Sequence, residues 1–304
     1  AQWAGPHSRT YGNWLGGEAA AYLGAQTGMM IVPHPNAPGK GHGEFSLVPP
    51  LPCPARYREA FRARPEQHSI TRRFIVRADD RQSTYGTTWM DDIACLGSVN
   101  WDSLWTQRRP LLAYWRTPAD PAAMLRLRFL HDGQDFATAG VRVAQSGPRA
   151  LAIVGLLTNR GDFHLHLDRP ADGRFPADDL RVRLELRALG AQARQLGEHL
   201  FELAAGERRA VIHAMPSQFG ATTVRWQLAE IDGGVALDGL CNQAPTLLDP
   251  AATVTQIVLG IELLSPNEAP SEPPHVEVQD GRIDARWGNE IELAAPIAAE
   301  TYPA

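Results

Sequence analysis

Lysine is almost missing from this chain: Lys40 is the only one in 304 residues, and nearly all the cationic charge is arginine. With a net charge of -5 and no cluster of basic residues, the sequence has no electrostatic footprint for a phosphate backbone, which argues against nucleic acid as a partner. No apolar run approaches the roughly 20 residues that a membrane-spanning helix needs. Cysteine is scarce too. Cys53, Cys95 and Cys241 are odd in number and widely spaced, which fits buried thiols better than a zinc site or a disulfide framework. The G-x-S-x-G elbow, the phosphate-binding loop, the G-x-G-x-x-G fingerprint and H-E-x-x-H are all lacking, which demotes serine hydrolases, nucleotide enzymes and zinc peptidases. The chain opens AQWAGPHSRT, with neither an initiator Met nor a signal-peptide pattern. It reads as a mature or truncated product that lacks an upstream domain, and a periplasmic or extracellular setting is expected.

What is present is mostly β pattern. Residues 1–67 hold an Ala/Gly-rich helical stretch (Trp14 to Gly28), a Pro/Gly-crowded loop and a short helix, ARYREAFRA, just after Pro54. They read as the helical and loop remnant of an upstream domain. From 68 to 304 apolar and polar residues alternate with period two, broken by Gly, Pro, Asp and Asn. In LRVRLELRAL, for example, Leu180, Val182, Leu184, Leu186 and Ala188 share one face and the charges take the other. Gln279-Asp280-Gly281-Arg282 and Ala204-Ala205-Gly206-Glu207 read as hairpin turns. The expected fold is mainly β, a large two-sheet antiparallel β-sandwich preceded by a short helical segment.

Three groups of residues carry candidate chemistry. In the segment from Gln82 to Thr117, Trp89, Trp101, Trp105 and Trp115 are interleaved with Tyr85, Asp91, Asp92, Asn100, Gln107, Arg108 and Arg109. Aromatic rings stack on the apolar faces of sugars, while carboxylates, amides and guanidinium groups bond hydroxyls or pair with uronate carboxylates. Tyr85, Trp89, Asp91, Trp105, Gln107 and Arg108 are therefore candidate saccharide-binding residues. The plainer alternative is a sandwich core with structural ion pairs. Second, His7, Arg9 and Tyr11 alternate after Gly5-Pro6, so an extended backbone projects all three one way. Arg9 can neutralise a carboxylate while His7 and Tyr11 move protons beside it, the machinery of β-elimination. A helix-entry loop capped by Ser8 or Thr10 explains the same residues without chemistry. Third, Phe163–Asp168 reads as a strand with His164, His166 and Asp168 on one face. That spacing suits a structural divalent ion, zinc by preference, though an exposed polar edge strand accounts for it equally. No cofactor is required by the proposed reaction.

The helical tail to about Gln67, the long β run, AGPHSRTYG and STYGTTWMDDIACLGSVN leading to RRPLLAYW together resemble the C-terminal half of a two-domain polysaccharide lyase of the heparinase II/III type. That resemblance implies the end of an α/α toroid joined to an antiparallel β-sandwich, with β-elimination on a uronate-containing polysaccharide. It makes His7, Arg9 and Tyr11 the catalytic candidates, with Tyr85, Trp89 and Arg108 lining the cleft. Two alternatives stay open: a non-catalytic carbohydrate-binding sandwich, and a glycoside hydrolase, which needs two carboxylates flanking a cleft. Asp91 or Asp92 supplies one of them at most.

Overall fold

The computed structural model describes residues 67–75, 83–105, 107–120 and 122–303, all within one compact unit, Glu66–Ala304. The expected helical segment, Cys53, His7, Arg9 and Tyr11 lie outside the described residues. Among those described there is no helix.

Two large antiparallel sheets form the body. The first runs β1 (His68–Ile75), β2 (Thr84–Met90), β3 (Ala94–Val99), β5 (Leu111–Trp115), β6 (Ala123–His131), β11 (Leu180–Arg187), β18 (Gly234–Leu240) and β17 (Arg225–Ile231), with β7 (Gln134–Asp135) on β6. The second runs β12 (Gln192–Gly197), β13 (Leu200–Ala205), β14 (Arg208–Ala214), β20 (Thr255–Leu264), β9 (Arg149–Leu156), β8 (Ala139–Ser146) and the edge strand β4 (Trp101–Ser103). The pair β15 (Gln218–Phe219) and β16 (Thr222–Thr223) joins β20. A small ribbon pairs β10 (Phe175–Ala177) with β19 (Thr246–Leu248), and a meander comprises β21 (His275–Gln279), β22 (Arg282–Trp287) and β23 (Ile291–Pro296).

The period-two pattern places the core. Leu180, Val182, Leu184 and Leu186 of β11 are fully buried and meet Ile212, Leu259 and Ile261 of the second sheet in one apolar cluster. Trp115 reaches across it, its indole N–H donating to the Ala205 carbonyl at 2.9 Å. A third layer was not anticipated from sequence. The meander packs Ile283, Ala285, Trp287 and Ile291 against Leu151, Ile153 and Val258 on the second sheet's outer face, making a separate apolar cluster. The hairpin at Asp280-Gly281 has positive φ at both residues (52° and 74°), the backbone of a tight primed turn, and Gly206 (59°) turns β13 into β14.

Local side-chain bonds reshape two stretches. STYGTTWMDDIACLGSV, whose composition reads as one continuous strand from Ser83 to Val99, is two strands, because Asp91 breaks it. Its Oδ1 accepts the backbone N–H groups of Ile93 and Ala94, and its other oxygen pairs with Arg208. Phe163–Asp168 is a run of bends, for the reason given below. The polar strand β12 and LFELAA of β13 pair within the second sheet although neither alternates in hydrophobicity.

At Asn100 the chain leaves the first sheet for the second. The Asn100 side chain accepts from Tyr85 N (2.9 Å) and donates to Ser83 O (3.1 Å). Its backbone N–H donates to Tyr85 O and its carbonyl accepts from Val143 N. One amide residue thus joins β2 to β8 and sets the edge on which the candidate site stands.

Candidate saccharide-binding edge

The tryptophan segment divides into packing and surface. Trp89 lies on the inner face of β2 at 3% exposure, and Trp115 is as deeply buried. Both fill core volume, and Asp91 is committed to its turn and to Arg208, so Trp89 and Asp91 are not part of an open site. Tyr85 is half-buried, its backbone tied to Asn100. Trp101, Trp105, Gln107 and Arg108 instead sit at the β4 edge and remain partly or fully exposed.

The edge is assembled from distant sequence. Trp101 packs on Tyr302 with ring centroids 5.0 Å apart, while the Arg142 guanidinium lies 4.1 Å from the Trp101 ring centre. Arg160 covers the Tyr302 ring at 4.5 Å and Arg108 approaches it at 6.0 Å. Arg108 also donates to Asp102 at 2.7 Å. Burial works against the Arg108 charge, but Asp102 and Tyr302 outweigh it and raise its pKa, so the guanidinium stays charged. Arg142 pairs with Glu300, and Leu157 bridges to Glu300 through the backbone, which pins the segment carrying Tyr302 alongside.

Against this edge stands the loop Gly161–Asp168. Its shape comes from one carboxylate: Asp168 accepts the backbone N–H groups of Asp162 (2.9 Å), Phe163 (3.0 Å) and His164 (3.0 Å). Those bonds curl the backbone, which is why the apparent alternation of FHLHLD never becomes a strand. Gly161 makes the curl possible, because a side chain there would run into the Asp168 carboxylate and the His164 carbonyl oxygen. The curled loop docks on Trp105, whose indole N–H donates to Phe163 O at 2.5 Å. The His164 ring packs edge-on against Trp105 at 5.2 Å, and His166 stands 6.4 Å from His164. Phe163 is 54% exposed and Leu167 82%, so the loop holds aromatic and apolar surface in water next to exposed His166.

The fold therefore brings Trp105, with Gln107 and Arg108 in its turn, to a loop carrying His164 and His166, two groups that the sequence presents as unrelated. Trp89 and Asp91 are instead taken up by the core and by the turn after β2. Asp168 is spent on backbone donors, and no group of three or more His, Cys, Asp or Glu side chains is placed to hold a metal among the described residues. Sequence reasoning missed Phe163, Arg160 and Tyr302. The one usable signal was Gly161-Asp162 followed by Asp168, the spacing of a self-capped loop.

Gly161→Ala is expected to unseat the loop at a cost of about 1–3 kcal/mol. Hydrogen exchange at Asp162, Phe163 and His164 should quicken by at least about tenfold while β11 keeps its protection. Unchanged exchange at those amides would show that the loop tolerates the side chain.

No family model matches the chain, and no curated protein matches it as a relative.

Proposed function

We propose that the chain is a carbohydrate-active protein whose β-sandwich binds an oligosaccharide or polysaccharide at the Trp105–His164 edge. The observation that carries this reading is the meeting of two surfaces: a loop held through Asp168 presents exposed Phe163 with His164 and His166, and docks on Trp105 of the β4 edge, whose turn carries Gln107 and Arg108. Flat apolar faces ringed by directional donors suit a pyranose, which offers an apolar face and a rim of hydroxyls. Arg108 adds a charged fork for a uronate carboxylate. The reaction we assign to the protein is β-elimination on a uronate-containing polymer, with His7, Arg9 and Tyr11 as its proton-transfer and charge-neutralising residues.

The hydrolase alternative has less support. The deeply buried carboxylates Glu185, Asp238 and Glu202 are each held by arginines, and Glu262 by Ser271, which leaves none of these four poised as an acid or base.

Affinity electrophoresis through gels containing uronate or neutral polysaccharides tests the binding. Wild type should be retarded, and Trp105→Ala should weaken retention by at least about tenfold, the loss expected when one stacked aromatic face is removed. Its melting temperature should stay near wild type because Trp105 is not in the core. Retention of Trp105→Ala equal to wild type, or no retention of wild type by any polymer, overturns the assignment. Ultraviolet absorbance of unsaturated uronate then separates the reactions. A rise that His7→Ala abolishes supports elimination, new reducing ends without that absorbance indicate hydrolysis, and neither indicates binding alone.

A further inference from the structure

His131, at the end of β6, sits where three elements meet. Its Nδ1 lies 2.6 Å from Asp162 Oδ1, at the root of the saccharide-edge loop, and its Nε2 lies 2.8 Å from the Pro176 carbonyl of β10. The ring is 7% exposed and packed among Phe136 (5.1 Å) and Phe175 (6.4 Å). The charged groups facing it are acidic: Asp162 from the loop, and Asp132 from the turn that follows β6, whose Oδ2 is 3.5 Å from Nε2. Asp132 is itself fixed, accepting the backbone N–H groups of Asp178 and Asp179. Asp162 is bound into the loop by its N–H to Asp168 and by its carbonyl, which accepts from Ala137 N.

Two oxygen acceptors on the two ring nitrogens have one consistent solution. A neutral imidazole carries a single N–H, so one nitrogen would turn its lone pair toward an oxygen at hydrogen-bond distance with little water to relieve it. The imidazolium donates to both. We propose that His131 is a pH-operated latch on the saccharide-binding loop: protonated, it ties Asp162 to the β10 ribbon, and on losing its proton it releases one of them. This rests on the binding assignment for its purpose, though not for its mechanism. Burial alone would lower the His131 pKa, yet the bonds to Asp162 and Pro176 overcome it and leave the pKa raised. A raised folded value means that the stabilisation is complete below the ordinary histidine range and is lost as pH rises through the folded pKa. The loop is therefore closed at pH values below the ordinary histidine range and loosens as pH rises through the raised value.

Nitrogen NMR of His131, together with hydrogen exchange corrected for intrinsic rates, tests the latch between about pH 5 and 9. Expected is a ring protonated on both nitrogens above the usual midpoint of about 6.5. Protection of the Asp162–His164 amides should then fall at least about tenfold as the ring titrates, the size of one lost charge-assisted bond. Asp162→Asn, which offers a neutral imidazole a donor, should flatten that dependence. A neutral ring at pH 6, loop protection that does not follow the His131 titration, or an unaltered profile in Asp162→Asn each overturn the proposal. The exchange measurement uses no ligand, so the latch can fail while the saccharide assignment stands, and the Trp105→Ala experiment can fail while the latch stands.

Discussion

Glu185→Gln should destabilise the sandwich by about 3–5 kcal/mol, read from the midpoint of urea unfolding at neutral pH. Glu185 lies on the outer face of β11, the face that alternation alone assigns to water, yet it is fully buried. Arg126, Arg128 and Arg187 all close over it, Arg187 at 3.1 Å and Arg128 at 3.3 Å. The ladder continues sideways, with Arg181 and Arg183 on the equally buried Asp238 and Arg128 also on Asp135. Glutamine keeps the shape and removes the charge, so three guanidinium groups lose their common partner. Burial on its own would raise the Glu185 pKa, but Arg126 and Arg128 prevail and hold it below the usual carboxylate range. Its contribution is then fully present above the unfolded carboxyl pKa and disappears as pH falls through the lower folded value. Glu185→Gln should accordingly lose the part of the acid-denaturation limb that Glu185 supplies. A midpoint shift under about 1 kcal/mol would mean that the arginines repair themselves with neighbouring acids or water.

Trp115→Ala should cost a comparable amount, about 3–5 kcal/mol, for a different reason. The side chain is 1% exposed in the space between the sheets, and its indole N–H satisfies Ala205 O. Truncation removes apolar contact, leaves a cavity and strands a carbonyl acceptor. Trp115→Phe should recover most of the packing but not the hydrogen bond, and so fall between. The contrast with Trp105→Ala is informative: two tryptophans ten positions apart should separate cleanly, one into stability and the other into ligand binding. If both variants lost binding in proportion to stability, the edge would be acting only through the fold.

Much of the fold was legible because half-buried strands write their pleat into the sequence. The apolar set of β11 and the turns at Gly206 and Asp280-Gly281 stand where alternation and turn chemistry place them. The site was less legible. Periodicity reports which face of a strand is apolar, but not whether a third layer or a ladder of arginines covers the other, which is why Glu185 and the meander core escaped. Local side-chain hydrogen bonds also override alternation, as Asp91 does in ending β2 and Asp168 in curling FHLHLD. Trp105 was recognisable as a candidate from its neighbours. Its meeting with His164 and Phe163 depends on sheet order, and no local spacing encodes that.

The Asn100 crossing and the Tyr302 contact have a kinetic meaning. Trp101, Arg142, Arg160 and Tyr302 come from four separate stretches that span most of the described sequence, and the contacts of Tyr302 with Trp101 and Arg160 close long loops. Contacts of that kind are entropically expensive before the sheets exist, and they form late. The edge thus belongs to the final phase of folding. Interactions made there leave the rate of folding almost untouched and govern mainly how long the native state lasts once formed.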